Sequence, residues 1–116
     1  MSARGWHILR NGAVVTLARH LPPRFDIAAE TRFPAGLRPA VLAHELRKDL
    51  WRLLQKIKGF SPVIRVVEDD AGLVVRAGGA ILGGGPIAAG STDRIASLLD
   101  TPVLRARWIA HARRWP

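Results

Sequence analysis

The chain has 116 residues, no cysteine and a formal net charge of +9 at pH 7. Its length fits one domain of ordinary size, and the absence of cysteine excludes disulfides, thiolate metal sites and cysteine nucleophiles together. The 18 basic residues against 9 acidic ones favour a polyanionic partner, although GC-rich codon usage accounts for part of the arginine excess.

The hydropathy of the chain indicates a protein that folds in water. A hydrophobic content of 48% argues against intrinsic disorder. No apolar run approaches the roughly 20 residues that are needed to cross a bilayer. The first residues lack the continuous apolar stretch of a signal peptide, so we expect a cytoplasmic protein with no membrane partner.

Residues 1–20 are predicted to form a β-hairpin. Asn11-Gly12 is the dipeptide that a type I′ turn prefers, because both central residues of that turn need positive φ. A two-residue loop at this place pairs Ile8 with Val15 across the two strands. The core-facing set on the hairpin is then Trp6, Ile8, Val15 and Leu17.

Residues 21–37 are predicted to be an extended connection that can hold a short edge strand. Pro22-Pro23 ends the preceding strand, because proline cannot donate a hydrogen bond to a β-ladder. We expect the aromatic rings of Phe25 and Phe33 to attach this connection to the body of the domain.

Residues 38–58 are predicted to form the longest helix. Pro39 suits the first helical turn, and Gly59 suits the position after the last one. An apolar stripe at helical spacing marks the buried face. The stripe consists of Leu42, Ala43, Leu46, Leu50, Leu53, Leu54 and Ile57. On the other side, Asp49 and Arg52 are spaced to form an ion pair at i, i+3.

Residues 62–83 are predicted to form a three-stranded β-meander. Their valine-rich runs are typical of strands, and Asp69–Gly72 provides a turn with a glycine for the positive-φ position. The glycine pair at 78–79 provides a second tight turn. Residues 91–115 predict two C-terminal helices, a short one and a final one that begins at Pro102.

These elements predict an α+β fold in a single domain over residues 1–116. The N-terminal hairpin and the meander form an antiparallel β-sheet, which packs against two main helices and one short helix. The order of helix, three strands and helix is similar to that of double-stranded-RNA-binding domains. That family has a lysine-rich run at the start of its final helix, where this chain has Gly90–Arg94, so the resemblance concerns topology alone.

Three features that suggest chemistry do not have the spacing that the chemistry needs. The glycine-rich segment 78–85 lacks the Gly-Lys-Ser/Thr of a phosphate-binding loop, and Glu68–Asp70 reads as a solvated turn rather than a magnesium site. The histidines are scattered, at His7, His20, His44 and His111. We therefore expect no metal site, no cofactor and no enzymatic activity.

The two main helices carry the residues that we expect to bind a partner. Trp51 lies off the apolar stripe, and cations lie within one helical turn of it. An exposed aromatic ring can stack on a base while neighbouring cations neutralise phosphates. The candidate residues are Arg47, Lys48, Trp51, Arg52 and Lys56, together with Arg107, His111, Arg113 and Arg114 near the C-terminus. Our hypothesis is a small basic protein that binds the phosphate backbone of DNA or RNA with little sequence specificity.

Two other interpretations stay open. Tryptophan and arginine are enriched in protein–protein hot spots, so the chain can instead be a non-catalytic accessory, adaptor or inhibitor protein. It would then dock on a larger protein assembly through Trp51 and the hairpin edge. Alternatively, Trp51 simply borders the core, and the arginines are solvated charge. The nucleic-acid hypothesis requires the two basic helices to form one continuous contact zone.

Overall fold

The computed structural model describes residues 2–3 and 5–114. Within these ranges the chain forms six strands and three helices, and every neighbouring pair of strands is antiparallel. The strands are β1 (Ser2–Ala3), β2 (Trp6–Asn11), β3 (Val14–Ala18), β4 (Ile27–Phe33), β5 (Phe60–Asp69) and β6 (Gly72–Ile81); the helices are α1 (Pro39–Leu54), α2 (Ser91–Leu99) and α3 (Pro102–Ala112). The strand order in the sheet is β1-β2-β3-β5-β6-β4. The predicted α+β class is confirmed.

The N-terminal hairpin forms with a different register from the one predicted. Ile8 lies opposite Leu17 rather than Val15, and the turn is centred on Gly12-Ala13 rather than on Asn11-Gly12. Gly12 adopts the positive φ, at 58°. Because the pairing differs by two residues and strand side chains alternate with period two, the predicted core face is unchanged.

The connection after the hairpin contains an edge strand, as the prediction allowed, but this strand is seven residues long rather than a short piece. Strand β4 pairs with the outer edge of β6, so the chain must pass β5 and β6 after it leaves β3. Phe25 lies on the sheet face away from the helices, with its ring centroid 5.4 and 5.3 Å from the guanidinium carbons of Arg65 and Arg76. Phe33, by contrast, is buried in the core.

The predicted three-stranded meander is wrong, because the glycine pair Gly78-Gly79 lies inside β6 instead of turning the chain. A Cβ atom on Gly78 would lie 2.0 Å from the Ile27 carbonyl oxygen, and one on Gly79 would lie 2.1 Å from the Ser61 carbonyl oxygen. The glycines therefore permit the close approach of two neighbouring strands. With only two strands between α1 and α2, the described residues also lack the topology of double-stranded-RNA-binding domains.

The helices are shorter than predicted at their C-terminal ends. Helix α1 ends before Lys56, and α3 ends before Arg113 and Arg114. Arg113 forms a β-bridge with Leu37, which joins the C-terminal segment to the chain just before α1. The last residues of the predicted 91–115 segment fall in part outside the described residues.

All three helices contribute to one hydrophobic core on one face of the sheet. Helix α1 packs against β3, β5 and β6, α2 packs against β4, and α3 packs against α1. Trp108 of α3 is completely buried and meets Phe33 edge to face, with ring centroids 6.3 Å apart. None of the helices in the described ranges has the length and apolarity to span a membrane.

Candidate functional site

A buried carboxylate joins the two basic helices. Asp49 of α1 is only 9% exposed and accepts a hydrogen bond of 2.7 Å from the indole Nε1 of Trp108 in α3. Arg107 of α3 also donates to Asp49, and Arg52 of α1 donates to it at 3.1 Å, which confirms the predicted i, i+3 pair. Two of the candidate cations are thus engaged with the same carboxylate inside this chain.

The ionisation of Asp49 reflects this environment. Burial by itself raises the pKa of the Asp49 carboxyl, because it disfavours the charged form. The hydrogen bonds from Trp108 and Arg107 and the charges of Arg107 and Arg52 outweigh burial, and the pKa lies below its ordinary value. The carboxylate therefore stays charged and holds both arginines at neutral pH.

Other candidate side chains on this side of the molecule have acidic partners as well. Lys48 and His111 both lie against Glu45, with N–O distances of 2.7 and 3.5 Å, and Arg114 lies 3.9 Å from Glu68. Helices α1 and α3 do lie side by side, as the interface hypothesis requires. The chain's own carboxylates nevertheless neutralise much of the charge there.

Two candidate cations in the described chain, Lys56 and Arg113, are exposed and have no ion pair. Both lie just beyond a helix end, Lys56 after α1 and Arg113 after α3. They are therefore separate charges at the margins of the helix pair rather than part of a continuous strip. The continuous contact zone expected on the two basic helices is thus not present among the described residues, and a nucleic-acid contact would have to be centred on another part of the surface.

Trp51 and Arg47 lie on a different side of α1 from Asp49 and Arg52. At 3.6 residues per turn, Trp51 and Arg52 point about 100° apart around the helix. The side that carries Trp51 faces the hairpin and the start of β5, where it borders a cavity of about 380 Å³. We call this cavity the aromatic–arginine pocket; it is lined by Trp6, Arg19, His20, Arg47, Trp51, Phe60 and Pro62.

The aromatic wall of the pocket is formed by two parallel rings. Trp51 stacks on Phe60 with ring centroids 6.3 Å apart and an interplanar angle of 13°. Phe60 is buried, whereas Trp51 is 42% exposed. The buried phenyl ring supports one face of the indole, and the exposed part of the indole remains available for stacking.

The cationic wall is formed by two arginines that share one indole. The guanidinium carbon of Arg47 lies 4.8 Å from the ring centroid of Trp6, and that of Arg19 lies 5.6 Å from it. Burial lowers the pKa of the Arg47 guanidinium, Glu45 raises it and Arg19 lowers it, and the net value is below the ordinary one. The two like charges lie close enough to repel each other, which favours an anion beside them.

Arg47 also has an incompletely satisfied guanidinium. Its Nε is buried and has no hydrogen-bond partner, the only such side-chain atom among the described residues. Buried donors are nearly always paired in folded proteins, and an unpaired one costs free energy. This atom distinguishes Arg47 from Arg52 and Arg107, both of which bind Asp49.

The rim of the pocket is fixed by a contact between distant parts of the chain. His20 Nδ1 and Ser61 Oγ lie 2.7 Å apart, and the Ser61 side chain is buried on β5. This hydrogen bond holds the imidazole at the end of β3, next to the pocket. Because His20 and Ser61 are 41 positions apart, no local sequence pattern predicts this hydrogen bond.

Sequence reasoning identified two of the pocket residues and missed the others. Trp51 and Arg47 were found from helical spacing, and Trp6 was assigned to the core. Arg19 and His20 carried no local signal, since they follow the strand of a hairpin whose position beside α1 is set by the sheet. No carboxylate lines the pocket, and no group of three potential metal ligands occurs among the residues that the structure describes.

Comparison with known proteins gives no family: the chain matches no protein-family model, no curated protein and no solved structure. The geometry of the site is therefore the basis for the functional proposal.

Proposed function

We propose that this protein binds nucleic acid through its phosphate backbone, with little sequence specificity, and that the aromatic–arginine pocket is the centre of the contact. The observation that carries the proposal is the composition of the pocket wall. Among the described residues, two arginines and a histidine line it together with three aromatic rings, and no carboxylate does. Arginines neutralise phosphates and exposed aromatic rings stack on bases, so this composition suits nucleic acid.

The charge balance of the chain supports the same proposal. The net charge of +9 attracts polyanions over distances longer than any single contact. On the α1–α3 side, Asp49, Glu45 and Glu68 reduce that attraction locally. The pocket combines this general excess of positive charge with the guanidiniums of Arg19 and Arg47 in its wall.

The first test is the salt dependence of binding. A fluorescently labelled oligonucleotide of about 12 nucleotides spans the usual site size of small single-strand binders. Fluorescence anisotropy should show affinity that falls with salt, with a log–log slope of about −0.7 for each phosphate neutralised on a single strand. No measurable binding at low salt would contradict the proposal.

A pair of double variants with equal charge loss tests the position of the contact. Arg19→Gln with Arg47→Gln removes both guanidiniums of the pocket, and binding should fall by at least tenfold. Lys56→Gln with Arg113→Gln removes two unpaired charges at the helix ends and should change affinity by about twofold, the effect of net charge alone. Equal losses in the two double variants would place the contact elsewhere on the surface.

The adaptor alternative has one observation in its favour. On its outer edge β2 pairs with β1 only at Trp6 and His7, so among the described residues the segment 8–11 has a strand partner only on its inner edge, where it pairs with β3. An extended peptide can add to such an edge by main-chain hydrogen bonds. A protein that binds the chain in this way should stay bound at about 1 M salt, where the Debye length is about 3 Å and nucleic acid is released.

A further inference from the structure

We infer that the aromatic–arginine pocket accepts an unpaired nucleobase against Trp51, so that the protein prefers single-stranded nucleic acid to a duplex. The inference rests on the proposed function and specifies which form of nucleic acid that site takes. It is based on the volume of the pocket and on the placement of its aromatic rings and arginines.

Trp51 provides the surface on which a base can stack. Trp51 is 42% exposed, and its indole is supported by the parallel ring of Phe60. A ring held in this way loses little conformational freedom when a flat ligand stacks on it. Stacking needs only a π-face, which every base has, and it therefore agrees with little sequence preference.

Two arginines line the same pocket as this stacking surface. Arg47 and Arg19 lie on the indole of Trp6, in the wall of the same cavity as Trp51. A nucleotide that places its base on Trp51 has its phosphates nearby, where these guanidiniums can bind them. The pocket can therefore contact both the base and the phosphate of one nucleotide.

The size of the pocket and the accessibility of unpaired bases favour a single strand. The cavity of about 380 Å³ is within the range of about 300–1,000 Å³ found for small-molecule sites. In a duplex each base is stacked and paired inside the helix, so a protein reaches its face only after unstacking and unpairing it. A single strand presents bases without that cost, and the pocket should therefore select it.

The experiment compares three ligands of equal length and label with the wild-type chain at one low salt concentration. They are a thymidine homopolymer of about 12 nucleotides, an abasic strand with the same number of phosphates, and a duplex of the same length. We expect the homopolymer to bind at least tenfold more tightly than the abasic strand, and more tightly than the duplex. Equal affinity for the homopolymer and the abasic strand overturns the inference and leaves the proposed function intact.

The failure of the proposed function has a different signature, because none of the three ligands then binds. The variant Trp51→Ala should lose the preference for the homopolymer and keep the affinity for the abasic strand. Trp51→Phe, which retains an aromatic face, should keep most of the preference. Because the ligand comparison uses the wild-type chain, it tests the inference even if Trp51→Ala does not fold.

Discussion

Arginines lie on two sides of helix α1, and the two sides differ in what the guanidinium groups contact. Toward α3, Arg52 and Arg107 are held by the buried carboxylate of Asp49. Toward the hairpin, Arg47 lies on the indole of Trp6 and leaves its Nε without a hydrogen-bond partner. The first side uses its arginines to join two helices, and the second side presents them in a pocket.

Positive charge alone therefore does not make an arginine a binding residue. An arginine whose guanidinium is satisfied by a carboxylate of the same chain gains less from a phosphate, since it must give up the existing pair. The positions of nine acidic residues therefore matter as much as those of the 18 basic ones. Four experiments test this difference, from the largest expected effect to the smallest.

Asp49→Ala should give the largest loss of stability. It removes the acceptor of Trp108 and leaves Arg107 without its partner, and the free energy of unfolding should fall by roughly 2–4 kcal/mol. Urea denaturation measures this value. Asp70→Ala, an equal charge change at an exposed turn position, should cost less than about 0.5 kcal/mol. Similar losses in both variants would mean that Asp49 does not join the helices.

Single arginine variants compare the two sides by nucleic-acid affinity. Arg47→Gln should weaken binding of a single strand several-fold and reduce the log–log salt slope by about 0.7, the contribution of one phosphate. Arg52→Gln should change the affinity by no more than about twofold, because its guanidinium already binds Asp49. Anisotropy titrations at several salt concentrations give both quantities. A larger effect of Arg52→Gln would reverse the assignment of the two sides.

Acid should destabilise the α1–α3 side at low pH. The pKa of Asp49 is lower in the folded chain than its ordinary value of 3.8, so below that pH the unfolded state binds more protons. The stabilisation is fully present above about pH 3.8 and is lost as the pH falls through the lower, folded-state pKa. Asp49→Asn should lack this part of the pH dependence when stability is measured by urea denaturation from pH 2 to 5.

Helix α1 should also respond to acid at a higher pH, through His44, and this response should be weaker. Burial lowers the pKa of His44 from its ordinary value of 6.5, and the charges of Arg47 and Lys48 lower it further, against the opposing effect of Glu45. As the pH falls, the unfolded state therefore binds a proton at a higher pH than the folded state does. The contribution of neutral His44 to stability is fully present above pH 6.5 and decreases below it. His44→Gln should flatten the stability curve between pH 5 and 7, while Asp49→Asn should leave that region unchanged.

Local patterns predicted several elements well. The apolar stripe with Leu42, Leu46 and Leu50 identified α1 and its buried face, and all three side chains are in the core. The i, i+3 spacing identified the pair between Asp49 and Arg52. Such features depend on contacts within one or two turns of a helix, which the sequence alone specifies.

Other elements depended on neighbours that are distant in sequence. Gly78 and Gly79 have the local signature of a turn, yet they lie within β6 because Ile27 and Ser61 approach from the adjacent strands. For the region of β4 the sequence predicts an extended connection that can hold a short edge strand, since the full length of its pairing with β6 is not visible in its own composition. Strand propensity depends on the paired surface, and this explains both differences.

The amino-acid sequence by itself determined the fold class, the positive charge and the helical position of Trp51 relative to the apolar stripe. Only the tertiary structure decided which cations have partners. It brought Trp108 and Arg107 to Asp49, and it placed the indole of Trp6 beneath Arg47. Formal charge is a property of each residue, whereas its neutralisation depends on distances between residues that are far apart in the chain.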